Sequence, residues 1–274
     1  MQLDESDAEA WSNLAAALLR VEPSETSVFE AEGPVVDGEA PAKVQPDPQK
    51  NRLDALKALK RAATLKHESH RIWENVLTVA ASVSPPDYPS VLAAQKHIID
   101  LRGKTDGEKC IDKQVLDILA QHVISTTDGY DPAQPGLPRM FVKFMDESVV
   151  PLITGSADLW RLVSRLALWR NKPSSALEAE EKAWRVVLAQ PGWESDSEKK
   201  WNRAVEATIR LCDSYESLGP RERTEGMGSG ELVAKDWNYK ASTAVRTVMG
   251  KGKSTWEGTN GWETLQEKAM DLKG

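Results

Sequence analysis

Few side chains in this sequence are spaced for chemistry. Gly250-Lys251-Gly252-Lys253-Ser254-Thr255 brings small residues, ammonium groups and hydroxyls together, as a phosphate cradle does. The phosphate-binding loop, however, needs a glycine five residues before its Gly-Lys-Ser, and that position is Thr247. It also needs a preceding strand, and this segment follows a helical pattern. The expectation is a helix C-terminus, where Gly250 stops the helix and the lysines face its carbonyl end. Lys251 and Lys253 remain available to a phosphate or an acidic peptide. His67 and His70 lie three residues apart in a turn, with no cysteine near and no His-Glu-x-x-His, so no metal site is expected. Cys110 and Cys212 lie 102 residues apart, with no Cys-x-x-Cys and no nucleophile context. No Gly-x-Ser-x-Gly elbow is present, and the carboxylates fall on solvated faces or in one acidic stretch. No catalytic residue, metal or cofactor is therefore expected, and the chain reads as a non-enzyme. The basic pair Arg161 and Arg165 stands out. Two guanidiniums one helical turn apart can hold a carboxylate or phosphate bidentately. The bland alternative is pairing with neighbouring acids such as Glu178 or Glu180.

The elements that would position these groups are helices. The chain has 274 residues, 40% apolar and 28% charged, enough for a sizeable core. Its longest apolar run, Leu14 to Leu19, is six residues, against the roughly 20 that a membrane helix needs. The N-terminus is acidic where a signal peptide is basic. The expected location is cytoplasmic, nuclear or both. Net charge is −7, and 22–49 alone holds seven acids against Lys43. The remaining body is nearly neutral and offers nucleic acid no basic field, so no DNA is expected. Ten Trp stand against four Tyr and three Phe, and so many indoles need packing sites or a binding surface. Apolar residues recur at i, i+3, i+4 and i+7, and no stretch alternates as a strand would.

A repeat organises the pattern. Trp11, Leu14, Ala15 and Leu18 fit the first helix of a tetratricopeptide repeat. The small residue lets the partner helix approach, and the large ones fill the space beside it. Ala55, Leu59 and Ala62 fit the second helix. Trp73, Val76, Leu77 and Ala80 begin another first helix. Trp11 and Trp73 are 62 residues apart, where the repeat period is about 34. The excess equals residues 22–49, which hold five prolines. That stretch has the composition of a disordered insertion between two paired helices.

Later repeats follow. Val91–Leu101 is a weak second helix. Val115, Ile118, Leu119 and His122 give a first helix without its Trp, partnered by Met140, Phe141, Phe144, Met145 and Val149. Trp160, Val163, Ser164 and Ala167 match well, with Ala183, Val187 and Gln190 on the second helix. Trp201, Ala204, Val205 and Thr208 open another, closed by Ala241, Val245 and Val248 after a flexible loop at 219–230. A last helix runs from Trp262 to Leu272. The expectation is an all-α solenoid over 1–274, of about five helix pairs and a terminal helix. Leu3-Asp4 resembles the tail of a preceding repeat, which predicts that the array is a fragment of a longer one. Trp11, Trp73 and Trp160 are expected to pack within repeats, and Trp201 similarly. Trp169, Trp184, Trp193, Trp237, Trp256 and Trp262 are expected to cap terminal helices, with one or two serving as exposed anchors.

Ala-Glu-Ala-Trp-Ser-Asn-Leu, Leu-Lys-His-Glu-Ser-His-Arg-Ile-Trp-Glu-Asn, Ile-Ile-Asp-Leu-Arg and Asp-Leu-Trp-Arg-Leu together resemble the C-terminal repeat region of the tetratricopeptide repeat protein 27 family. Its fungal members are known as essential for maintenance of the cell wall. The resemblance covers most of 1–218, and the Gly-Lys-Gly-Lys segment also fits. The acidic insertion departs from the animal pattern. The resemblance implies a non-catalytic scaffold or co-chaperone, assembling a spliceosomal U5 particle beside chaperone machinery. Many repeats of this type hold chaperone tails with a Lys one residue after the motif Trp and an Asn five after it. Here those positions are Ser12 and Ala16, Glu74 and Thr78, and Arg161 and Arg165, so a direct tail clamp is not expected. The partner expected instead is a protein carrying an acidic segment, held by Arg161 and Arg165. The rival reading is an RNA-binding helical repeat with Trp and Arg stacking on bases.

Overall fold

The helical periodicity is expressed throughout the computed structural model, which describes residues 6–20, 47–127, 129–225 and 230–273. It is all-α, and no strand occurs among the described residues. The chain divides into two compact units, Met1–Asp112 and Lys113–Gly274.

In the first unit, α1 (Ala8–Arg20) pairs with α2 (Pro48–Leu65), and α3 (His70–Ser82) pairs with α4 (Tyr88–Asp106). Small residues set the spacing. Ala15, Ala55, Ala62 and Ala80 are almost wholly buried, with Leu59 and Leu77 filling between them. The large motif residues sit at the edges, and Trp11, Leu14 and Trp73 are only partly buried. Asp47 caps α2, its carboxylate accepting from the Gln49 backbone N–H at 3.0 Å, and Pro48 occupies the first turn. Residues 47–49, expected to lie in the disordered insertion, are therefore the cap and first residues of α2; 21–46 lie outside the described residues. The two helices flanking that stretch pack on each other, as the period arithmetic requires.

In the second unit, α5 (Lys113–Thr126) is followed by α6 (Leu137–Phe144). That helix runs on through a π turn, Met145–Val149, and ends in a 3₁₀ turn at Val150–Leu152. Then come α7 (Ala157–Trp169) with α8 (Pro173–Ala189), α9 (Glu198–Glu225) with α10 (Gly230–Trp256), and α11 (Asn260–Asp271). With α1–α4 this gives, among the described residues, the expected five pairs and a terminal helix. Ser164 and Ala183 are buried at their repeat positions.

Three expectations are corrected. The register of α5 is one residue later than read. Leu116, Leu119, Ala120 and Val123 are fully buried, whereas Ile118 is 54% exposed. That set places Ala120 at the small position, which Leu119 would crowd. The expected loop at 219–230 is helical over 219–225 and again at Gly230, with 226–229 outside the described residues. Gly219 is there for contact: a Cβ on it would press into the Trp237 indole. Gly250 does not end a helix, because α10 continues to Trp256. Gly252 lies inside α10, one turn before its end, against the six-membered ring of Trp201, where a side chain would collide.

The tryptophan hierarchy also differs from expectation. The deepest indoles are Trp193, Trp201 and Trp262 in the second unit. Trp201 has near-parallel ring contacts with Trp193 and Trp256, with centroids 6.2 and 5.9 Å away. Trp160, at the motif position, is only partly buried and carries the Lys182 ammonium 4.6 Å from its ring centroid. None of the six tryptophans outside the motif position is classed as exposed.

Candidate protein-binding cleft

The groups singled out from the sequence do not converge on one site. His67 is in the turn before α3, where its backbone carbonyl accepts from Trp73 Nε1 at 2.8 Å. Among the described residues no three His, Cys, Asp or Glu side chains are grouped to hold a metal. Cys110 and Cys212 are buried free thiols in different units. Burial pushes the Cys212 thiol up to about 12 and raises Cys110 as well, the opposite of nucleophile activation. Lys251 is bonded to Glu194 at 2.9 Å and lies over the Trp193 ring. No described helix is long and apolar enough to cross a membrane.

The arginine pair does line a cleft, of about 290 Å³, built from α5, α7, α8 and α9. Helix α7 is fixed first. Ser156 caps it, accepting from the Leu159 N–H, and Asp158 lies in its first turn, where an acid favours the helix N-terminus. Leu159, Leu162 and Leu166 anchor the buried face. The adjoining stripe, Asp158, Arg161, Arg165 and Leu168, follows helical spacing and lines the cleft together with Leu162 and Ser164.

Both arginines have internal partners, though not the expected ones. Arg165 donates from Nη2 to Asp117 Oδ1 on α5 at 2.6 Å. Arg161 donates from Nη1 to Asp158 Oδ1 at 3.4 Å. Glu180 is instead taken by Arg210 of α9, two-pronged, at 3.2 and 3.3 Å, and Glu178 pairs with Lys182. The pairs differ in kind. The Glu180 side chain is 7% exposed, whereas Asp117 and Asp158 are 58% and 59% exposed. Arg161 Nε is buried and has no acceptor among the described residues. Arg161 and Arg165 thus each use one prong of a fork built for two acceptor oxygens.

Asp117 was missed in the sequence because of the register error. Counted from Leu116, it falls one residue after the repeat's first packing position. Arg161 holds the same place after Trp160. Arg210, nine residues after Trp201, had no motif signal.

No protein-family model matches the chain. Individual proteins do. The chain is 32% identical, over 97% of its length, to a TPR repeat-containing protein of Schizosaccharomyces pombe. It is also 32% identical, over 99% of its length, to Essential for maintenance of the cell wall protein 1 of Saccharomyces cerevisiae. A Tetratricopeptide repeat protein 27 homolog of Dictyostelium discoideum is 24% identical over 76% of the chain. The chain spans 28%, 27% and 22% of these relatives' lengths, respectively.

Proposed function

We propose that this chain, homologous over nearly its whole length to those tetratricopeptide repeat proteins, is a non-catalytic scaffold that binds a protein partner through an acidic segment. The observation that carries the reading is the pair of half-used guanidiniums, Arg161 and Arg165, on one stripe of α7 in an open cleft. A partner carboxylate can accept from two prongs where Asp117 or Asp158 accepts from one. The existing pairs are exposed single-point contacts worth about 0–1 kcal/mol, and a two-point guanidinium–carboxylate pair adds both energy and geometric specificity. Leu168, 40% exposed and part of the cleft lining, offers apolar contact beside the charges. The family resemblance adds a cellular role: assembly of a spliceosomal U5 particle beside chaperone machinery, in cytoplasm or nucleus, with a cell-wall defect on loss in fungi.

The test is reversal of both arginines, Arg161→Glu with Arg165→Glu, in the full-length protein. A fluorescein-labelled hexaglutamate peptide is titrated by anisotropy at low salt, and melting is followed in parallel. Lost binding with unchanged melting supports the cleft. Lowered melting with binding retained assigns the arginines to internal pairing and removes the site. Tighter binding of labelled single-stranded RNA than of the peptide, abolished by salt, would turn the reading toward nucleic acid.

A further inference from the structure

The cleft already contains the chemistry of its ligand. Resting on the acidic-segment reading, we propose that Asp117 and Asp158 are built-in competitors. They occupy Arg165 and Arg161 in the free protein and are displaced by the carboxylates of the partner.

Three features of the geometry support displacement over fixed pairing. Asp117 and Asp158 each accept a single guanidinium N–H, at 2.6 and 3.4 Å, leaving the second prong open. Both carboxylates are more than half exposed, so each is solvated on release, without the penalty of stranding a buried charge. Asp158 has a second favourable position, because it lies in the first turn of α7, where the helix N-terminus stabilises an anion. The Glu180–Arg210 pair of the same cleft is the contrast. It is two-pronged, Glu180 is nearly inaccessible, and removing Arg210 would leave a buried carboxylate uncompensated. That pair is the fixed wall of the cleft, and the other two pairs are its exchangeable part. The six groups together carry no net charge. An unliganded cleft therefore does not attract anions indiscriminately, and only a segment able to supply carboxylates at both arginines gains from entering.

The consequence has a definite sign. Neutralising the competitors, Asp117→Asn with Asp158→Asn, should tighten hexaglutamate binding about three- to tenfold, since each exposed pair is weak. Removing two negative charges anywhere also favours an anionic peptide, so Glu267→Gln with Asp271→Asn on α11 is the control. Both residues are exposed and lie outside the cleft lining. The three proteins are titrated at one fixed ionic strength and their melting is compared. Gain in the cleft variant beyond the α11 control supports the proposal. Equal gain in both, or none in the cleft variant, overturns it. In either of those outcomes the acidic-segment reading survives if arginine reversal still abolishes binding. If the parent does not bind the peptide, or binds it equally after arginine reversal, both readings fall together.

Discussion

The indole of Trp73 lies flat on the imidazole of His97, with ring centroids 4.0 Å apart and planes within 14°. The contact joins α3 to α4, and Trp73 Nε1 is tied to the His67 carbonyl at the turn. A tryptophan that the repeat pattern reads as generic packing is thus half of a titratable stack.

Burial lowers the His97 pKa; Asp100 opposes this, while Lys96 and His67 reinforce it. The folded state therefore binds this proton less readily than the unfolded chain does. The contribution of His97 is complete above the ordinary imidazole value of 6.5 and is lost as pH falls below it toward the folded value. His97→Phe keeps a ring on Trp73 and removes the titration. Melting temperatures measured from pH 7.5 to 5 should fall more steeply for the parent than for this variant. Parallel curves would mean that the stack does not sense protonation.

Cys110 and Cys212 report separately on the two units. Both thiols are buried with raised pKa, that of Cys212 to about 12, so a thiol reagent must wait for local opening. Single-cysteine variants, Cys110→Ala and Cys212→Ala, should label slowly in native buffer and rapidly once denaturant opens the unit that retains the thiol. Labelling of either native variant at the rate of a free peptide thiol would contradict the burial described here.

Two glycines separated by one lysine make opposite predictions. Gly250 has open space where a Cβ would go, whereas at Gly252 a Cβ would meet the Trp201 ring. Gly250→Ala should stabilise the protein by about 0.4–1 kcal/mol, through a less disordered unfolded chain. Gly252→Ala forces atoms into a packed interface and should cost about 1–3 kcal/mol. Denaturant titration of both variants decides. Equal effects would place Gly252 on an open face.

These glycines also mark where the sequence was legible. Helix existence and pairing followed from strong periodicity, because a 3.6-residue pattern and a repeat spacing survive small errors of boundary. The same pattern could not fix the register of α5. Without a tryptophan, the four-residue template fits both Val115, Ile118, Leu119, His122 and Leu116, Leu119, Ala120, Val123. Only the need for a small residue at the third position, met by Ala120, separates them. That one-residue shift hid Asp117 and with it half of the cleft. Gly250 reads as a helix stop in the sequence because glycine's backbone freedom and its lack of volume give the same letter. Which of the two matters at Gly252 depends on a Trp201 ring 51 residues earlier in the chain. Glu180–Arg210 joins residues 30 apart on different repeats, a pairing that no local spacing encodes.

The tryptophans rank by burial rather than by motif position, and that ordering is testable. Trp201 is fully enclosed and has near-parallel ring contacts with both Trp193 and Trp256. Trp160 is only partly buried, with the Lys182 ammonium over its ring. Trp201→Ala removes a large side chain from a close-packed site and should cost about 3–5 kcal/mol, as cavity-forming aromatic substitutions do. It should also release Gly252 from its constraint, so Gly252→Ala should cost less in the Trp201→Ala background than in the parent. Trp160→Ala loses partly exposed surface and a cation–π contact worth about 0.5–1 kcal/mol at an exposed site, so its penalty should be the smaller. Chemical denaturation of the two single variants and of the Trp201→Ala, Gly252→Ala double variant checks the ordering and the coupling together. A Trp160 penalty equal to that of Trp201 would restore the motif position as the measure of packing. Strict additivity in the double variant would show that Gly252 and Trp201 do not touch.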